Sequence, residues 1–206
     1  MKVLLHCCCA PCTIECAGLL LDEGYGPDLF WYNPNIHPFT EYKSRRDALT
    51  AYAKTADLSL QMVDEYGLRP FLRAVRDAAV RQEFDDDPDA APDAVPGRCA
   101  RCYRMRLEKT AAHAAGGGYD AFSTTLLISP YQRHELIVRT AEEAAEKHGV
   151  PFLYRDFRPR FREGQAKARE LGFYMQKYCG CIFSEEERYL PPPGGKTVPQ
   201  KTERSP

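Results

Sequence analysis

Short apolar runs alternate with helical segments along most of this 206-residue chain, and that alternation restricts the possible folds more than any other feature. Val3–His6, Leu29–Asn33, Ser59–Val63, Tyr119–Leu127 and Pro151–Tyr154 read as strands. Thr13–Glu23, Tyr42–Thr55, Pro70–Glu83, Arg101–Ala115, Gln132–His148 and Gly164–Leu171 read as helices, several of them closed by glycine: Gly24, Gly116-Gly117-Gly118, Gly149 and Gly172. Strands separated by helices bury both faces of a sheet, so the expected architecture is α/β: an open, mostly parallel, Rossmann-like sheet flanked by helices in a single domain. That domain spans residues 1–190. Residues 191–206, with three consecutive prolines and scattered charge, read as a disordered C-terminal tail. Asp85–Pro96, rich in aspartate, proline and alanine, reads as a loop.

In such a sheet ligands bind beyond the carboxyl ends of the strands. Residues 6–12, 33–37 and 123–131 follow the first, second and fourth strands, so topology alone sends them to one crevice. The formal net charge of −1 argues against a protein that coats nucleic acid generally, while leaving room for a local basic patch. No apolar run approaches the roughly 20 residues that a membrane helix needs. The opening Val3-Leu4-Leu5 is shorter than a signal-peptide core, so the expected location is cytoplasmic.

The nine cysteines are the compositional outlier: Cys7, Cys8, Cys9, Cys12, Cys16, Cys99, Cys102, Cys179 and Cys181. An odd count, three of them consecutive and no export signal do not fit a secreted disulfide framework. Cys8 and Cys9 lie between a strand end and a helix start, where backbone amides favour thiolates. Cys99 and Cys102 form a Cys-x-x-Cys, a spacing that aims two sulfurs at one metal or cluster. Together they supply the four thiolates that a 4Fe–4S cluster takes. Zinc is the alternative metal, and buried inert thiols are the alternative to both. Strand alternation places Cys7 opposite Cys8. Cys12 and Cys16 share a helix face, Cys12 nearer the crevice and Cys16 nearer the core. Cys179-Gly180-Cys181 reads as a reversible redox pair, a source of a further ligand, or two structural thiols.

Polar groups gather at the same end of the sheet. Asn33-Pro34-Asn35-Ile36-His37-Pro38 is a rigid turn after the second strand, followed by Glu41, Tyr42 and Arg45. Thr124 to Tyr131 and then His134 follow the fourth strand. Arg155 to Arg162 interleaves four arginines with two aromatics, and Arg98, Arg101, Arg104 and Arg106 flank the Cys-x-x-Cys. Arginines beside aromatics suit splayed, phosphate-linked bases. The candidate substrate contacts are Asn33, Asn35, His37, Tyr131, His134, Arg158 and Arg160.

His6-Cys7-Cys8-Cys9-Ala10-Pro11-Cys12, Tyr32 to Pro38 with Glu41-Tyr42, Arg98 to Tyr103 with Arg106-Leu107, Ser123 to Tyr131, and Phe173 to Cys181 together resemble the cobalamin-independent epoxyqueuosine reductase family, QueH. The resemblance runs over about residues 3–188. It implies an oxidoreductase of the last step of queuosine synthesis. The family removes the epoxide oxygen of epoxyqueuosine in the tRNA anticodon loop by a two-electron reduction that gives queuosine and water. It implies a 4Fe–4S cluster on Cys8, Cys9, Cys99 and Cys102, without cobalamin. It also implies a redox-active pair at Cys179 and Cys181, an external electron donor and, in some members, an additional mononuclear iron for which Cys12 is the candidate ligand. The position of Cys12 can be aspartate in the family.

Two other classes share parts of this pattern. An iron–sulfur thiol–disulfide or heterodisulfide-type reductase, not acting on tRNA, also pairs adjacent cysteines with Cys-x-x-Cys. ATP-dependent tRNA-thiolating enzymes share the expected sheet, of the HUP type, but need a glycine-bearing phosphate loop where this chain has His6 to Cys12.

Overall fold

A computed structural model describes residues 1–79 and 97–190. Four strands, β1 (Lys2–His6), β2 (Gly26–Trp31), β3 (Leu60–Met62) and β4 (Ala121–Thr124), form one all-parallel sheet in the order β3-β2-β1-β4. The helices are α1 (Ala10–Asp22), α2 (Phe39–Thr55), α3 (Leu68–Ala79), α4 (Arg98–Gly116), α5 (His134–His148), α6 (Phe161–Glu170) and α7 (Ile182–Tyr189). None of them is long and apolar enough to cross a membrane.

The central strand β1 carries a fully buried Val-Leu-Leu run, as a strand covered on both faces requires. Leu29, Phe30 and Trp31 of β2 and Phe122 of β4 complete the centre of the core. Burying one such side chain contributes about 1.5–3 kcal/mol. The register pairs His6 with Phe30 on β2 and with Thr124 on β4, so three strands end level and their following loops leave from one edge.

The expected parallel α/β sheet is present, with local differences. Tyr119–Leu127 is strand only over Ala121–Thr124. The chain then tightens into a 3-10 turn, Thr125–Ile128, because the Thr124 hydroxyl accepts from the Leu126 amide at 3.2 Å. Pro151–Tyr154 is no strand. Phe122 donates to Pro151 and accepts from Leu153, and the pairing stops at a single bridge between Phe122 and Phe152. Helix α1 begins at Ala10 rather than Thr13, with Pro11 in its first turn, where a missing N–H costs nothing. Helix α7 has no counterpart in the sequence reading. The expected loop Asp85–Pro96, the end of the helix expected to reach Glu83 and the expected tail lie outside the described residues.

Two contacts place the elements that matter for the site. Helix α6 packs on α1, where a Cβ on Gly164 would lie 2.8 Å from the Pro11 carbonyl oxygen and 3.2 Å from Glu15 Cγ. Helix α4 packs against α5 and against β1 and β4, bringing its first turn over the β1 end.

Candidate metal centre at the carboxyl edge of the sheet

His6 ends β1 fully buried. Its Nδ1 lies 2.9 Å from Thr124 Oγ1 and its Nε2 lies 3.3 Å from the Tyr32 carbonyl, so the ring ties together the ends of β4, β1 and β2. Burial, then the Arg106 charge, lowers its pKa to about 4 and keeps it neutral. The Cys7 amide donates to Phe30 O at 2.8 Å and so extends the β1–β2 pairing. Its side chain stays in the core, where burial pushes the thiol up to about 12. Cys16 is also fully buried and held well above the ordinary thiol range. Neither sulfur is poised for chemistry.

The next side chain turns the other way. Cys8 is half-buried in the wall of an open cleft of about 890 Å³. Cys9 is the residue preceding α1, with an extended backbone (φ −174°), and its carbonyl accepts from Thr13 Oγ1 at 2.7 Å. Cys12 follows in the first turn of α1. The sulfurs of Cys8, Cys9 and Cys12 lie within 4.8 Å of one another, a group that can hold a metal ion. Hydrogen bonds with the Cys12 and Cys9 thiols, helped by the charge of Arg45, hold Cys8 well below the ordinary thiol range. Cys9 is raised by burial, and Cys12 by its hydrogen bond with Cys8. Of the three sulfurs, Cys8 is the one whose thiolate form the surroundings favour. Gln176 Nε2 donates to Cys9 Sγ at 3.0 Å and sits 3.7 Å from Cys12 Sγ, while its Oε1 has no hydrogen-bond partner among the described residues. An amide aimed at sulfur is a supporting contact that thiolate-ligated centres use.

Cys99 and Cys102 stand in the first turn of α4. Cys102 is buried beside Phe71, Val75 and Cys181, and burial pushes its thiol up to about 12. Among the described residues no set of three ligands within 4.8 Å includes either of them. Arg106 joins the two groups. This buried guanidinium places Nη2 3.3 Å from Cys102 Sγ and interacts electrostatically with Cys102, Cys179 and Cys8.

Residues 174–181 lie across the same edge. Arg45, buried to 1% exposure, donates Nε to Glu41 Oε1 at 2.6 Å, Nη1 to Cys179 O at 3.0 Å and Nη2 to Tyr178 O at 2.8 Å. Glu41 also accepts from the Tyr174 hydroxyl. The His37 amide donates to Gly180 O at 2.7 Å, and Tyr178 OH donates to His37 O at 2.6 Å. Gly180 has φ +120°, and a Cβ there would meet Arg45 and Ile36 at 3.1 Å, so only glycine fits. Cys179 is exposed in the cleft, 3.4 Å from Gln132 Nε2, whereas Cys181 is buried and caps α7 by accepting from the Ser184 amide. No disulfide joins any of the nine cysteines.

Of the other residues singled out in the sequence, Tyr131 lines the cleft. Asn33, Asn35 and His37 are buried in the loop behind it: Asn33 donates to the Cys7 carbonyl at 2.8 Å, and the His37 ring is packed against Tyr66 and Phe71. His134 opens α5, with Nε2 3.1 Å from Tyr154 OH. Arg158 pairs with Asp156 at 2.7 Å and Arg160 with Glu163 at 2.9 Å, and neither lines the cleft. Arg162, Gln165 and Arg169 of α6, Gln132, Gln176 and Arg188 do line it. The i, i+3, i+7 spacing of the three α6 residues was the available signal for that wall.

A cysteine-lined cleft at the carboxyl edge of a parallel α/β sheet defines a Rossmann-like protein equipped to hold a metal. The fold is shared with a solved chain from Methanocaldococcus jannaschii, described as a predicted subunit of tRNA methyltransferase. The TM-score is 0.53 at 15% identity, over 82% of this chain and 75% of that one. The family description "Epoxyqueuosine reductase QueH" matches residues 3–187, and this chain belongs to that family. Relatives that carry the same name include proteins of Dehalococcoides mccartyi, 38% identical over 93% of this chain and 96% of the relative, and of Thermotoga maritima, 37% identical over 90% and 91%. A third, from Acinetobacter baylyi, is 33% identical over 89% and 80%.

Proposed function

We propose that this chain is an epoxyqueuosine reductase acting on tRNA. The observation that carries the reading is the placement of the Cys8–Cys9–Cys12 sulfur group and the exposed Cys179 in one cleft, in a chain matched to this family over residues 3–187. The reaction takes two electrons and two protons, breaks both C–O bonds of the epoxide, leaves a carbon–carbon double bond and releases water. A thiol–disulfide reductase without tRNA has no comparable support.

The donor set fits a thiolate-ligated iron centre: soft sulfur ligands, one of them favoured as a thiolate, and an amide directed at two of the sulfurs. Cys8, Cys9, Cys99 and Cys102 would hold a 4Fe–4S cluster, with Cys12 available to a further iron. That centre, when bound, supplies electron transfer and Lewis acidity. The chain's own residues do the rest. Arg106 and Arg45 keep positive charge beside the thiolates in a buried setting. Arg45 and His37 hold both sides of the Cys179–Gly180–Cys181 turn by its carbonyls. Oxidation of the Cys179 and Cys181 thiols to a disulfide releases two electrons and two protons, matching the demand of the reaction, and a cytoplasmic donor outside the chain restores the thiols.

The test is anaerobic purification, iron and sulfide analysis, and an assay on tRNA that carries epoxyqueuosine. About four irons per chain with matching sulfide, and conversion to queuosine, are expected. Cys179→Ser should retain the iron and lose turnover with the physiological donor. Stoichiometric zinc without iron in the anaerobic protein would sink the redox mechanism.

A further inference from the structure

The arginines lining the cleft fall into two kinds. Arg45 and Arg106 are buried and committed to carboxylate, carbonyl and sulfur partners. Arg162, Arg169 and Arg188 are exposed on its walls. Arg162 and Arg188 make no hydrogen bond or ion pair among the described residues, and Arg169 reaches only the Gln165 carbonyl of its own helix, at 3.3 Å. The neighbouring stretch that looks equally basic in sequence is neutralised: Arg155 by Glu23 at 2.8 Å, Arg158 by Asp156 and Arg160 by Glu163. Sequence charge and available charge therefore differ by a few residues along the chain.

Unpaired cations on a concave wall attract an anion more strongly than the same charges spread over a convex face. Arg162, Gln165 and Arg169 stand on one face of α6 and span roughly 10 Å at 1.5 Å per residue. Gly164, on the side that meets Pro11, lets that helix lie flush on α1 and keeps the cationic face beside the first turn, where Cys12 sits. At the mouth, Tyr131 is 84% exposed, with its ring edge-on to Phe161 at 5.8 Å. Both line the cleft. An aromatic ring left in water, held in place by a second ring and flanked by free guanidinium groups, offers a base a stacking surface and its phosphates a cationic track.

We propose that Arg162, Arg169 and Arg188 bind the phosphates of a single-stranded RNA loop while Tyr131 stacks on one unstacked base. The wall formed by α6, α7 and the β4–α5 connection is thus the RNA interface of the cleft. The assignment rests on the reductase reading for the identity of the RNA. The test separates the two, because it reads binding without chemistry.

The probe is a fluorescent RNA hairpin with a loop of anticodon size and no modified base. It is titrated with the full-length, metal-loaded protein at several salt concentrations. Arg162→Gln, Arg169→Gln and Arg188→Gln should each weaken binding and reduce the slope of log K against log salt by about 0.7. Tyr131→Ala should weaken binding about tenfold with the slope unchanged. The charge-balanced pairs Asp156→Asn/Arg158→Gln and Arg160→Gln/Glu163→Gln should match the parent. Slopes untouched by the three arginine variants, or moved equally by the balanced pairs, would overturn the interface. Equal affinity for a blunt RNA duplex would overturn its single-strand character. Normal reduction of subsaturating epoxyqueuosine-tRNA by the triple arginine variant would also overturn it. The expected binding pattern in a protein that leaves that tRNA unreduced would keep the interface and remove the reductase reading.

Discussion

Arg45 shows how much of this site depends on single buried side chains. Its guanidinium meets Glu41, Cys179 O and Tyr178 O with three different nitrogens, a fork that a lysine ammonium cannot reproduce. Burial works against its charge, but Cys9, Glu41 and Cys8 more than offset it and hold it above the ordinary arginine range. Arg45→Met strands the Glu41 carboxylate in the interior, where the loss of one partner of a buried pair costs about 3–5 kcal/mol. Arg45→Met/Glu41→Gln should recover part of that loss, because no charge is then left unpaired. Anaerobic urea unfolding measures both, and a loss below 1 kcal/mol for the single variant would contradict the buried-pair account. The pair with Glu41 has the ordinary i, i+4 helical spacing, but the rest was not legible in the sequence. The partners of Arg45 across the site are 133 and 134 residues away, and no local pattern encodes such a distance. The cysteines behaved differently. Strand alternation separated buried Cys7 from cleft-facing Cys8, and one turn along a shared helix face separated Cys12 in the cleft from Cys16 in the core, because those sorting rules act over one to four residues.

Among the elements, α6 does most to shape the cleft, and its position depends on Gly164. An exposed helical glycine replaced by alanine normally gains about 1 kcal/mol from helix propensity. Here the added Cβ would approach the Pro11 carbonyl to 2.8 Å and Glu15 Cγ to 3.2 Å, and the first of these is backbone that cannot swing aside. The clash wins: Gly164→Ala should destabilise by about 1–3 kcal/mol. It should also weaken hairpin binding, because Arg162 and Arg169 move with the helix. Thermal unfolding alongside the RNA titration reads both effects, and a rise in melting temperature would show that α6 is not seated on α1 as described. The sequence revealed α6 through its terminating Gly172 but not α7. That helix is eight residues long and is capped by Cys181, a residue that carries none of the usual start signal. Strand five failed for a related reason. Pro151 to Tyr154 has strand composition, but β-propensity measures fit to a pleated surface, and the sheet offered only the Phe122 backbone as a partner.

For the molecule as a whole, the parallel architecture packs neutral histidines into the interior and so makes stability depend on pH. His37 is 1% exposed and lies against Tyr66 and Phe71, and among the described residues neither ring nitrogen makes a well-formed hydrogen bond. Burial lowers its pKa from 6.5 to about 4. Protonation is therefore easier in the unfolded chain than in the fold. The favourable contribution is complete above pH 6.5, falls as the unfolded imidazole charges below that value, and is lost once the pH passes below about 4. A depression of this size corresponds to about 3 kcal/mol. His37→Gln removes the titration but keeps a polar side chain in the same place. The stability difference between parent and variant, followed by urea unfolding from pH 7 to pH 4, should shift by up to about 3 kcal/mol in the variant's favour as the pH falls. A difference that stays constant over that range would mean that the His37 ring reaches water or a charge partner in solution. The consequence would reach the Cys179–Gly180–Cys181 turn, since the His37 backbone amide holds Gly180 between the two cysteines. Acid that charges this ring should therefore loosen the turn before it unfolds the sheet. Faster alkylation of Cys181 in the parent than in His37→Gln at pH 4.5, with equal rates at pH 7, is the expected signature.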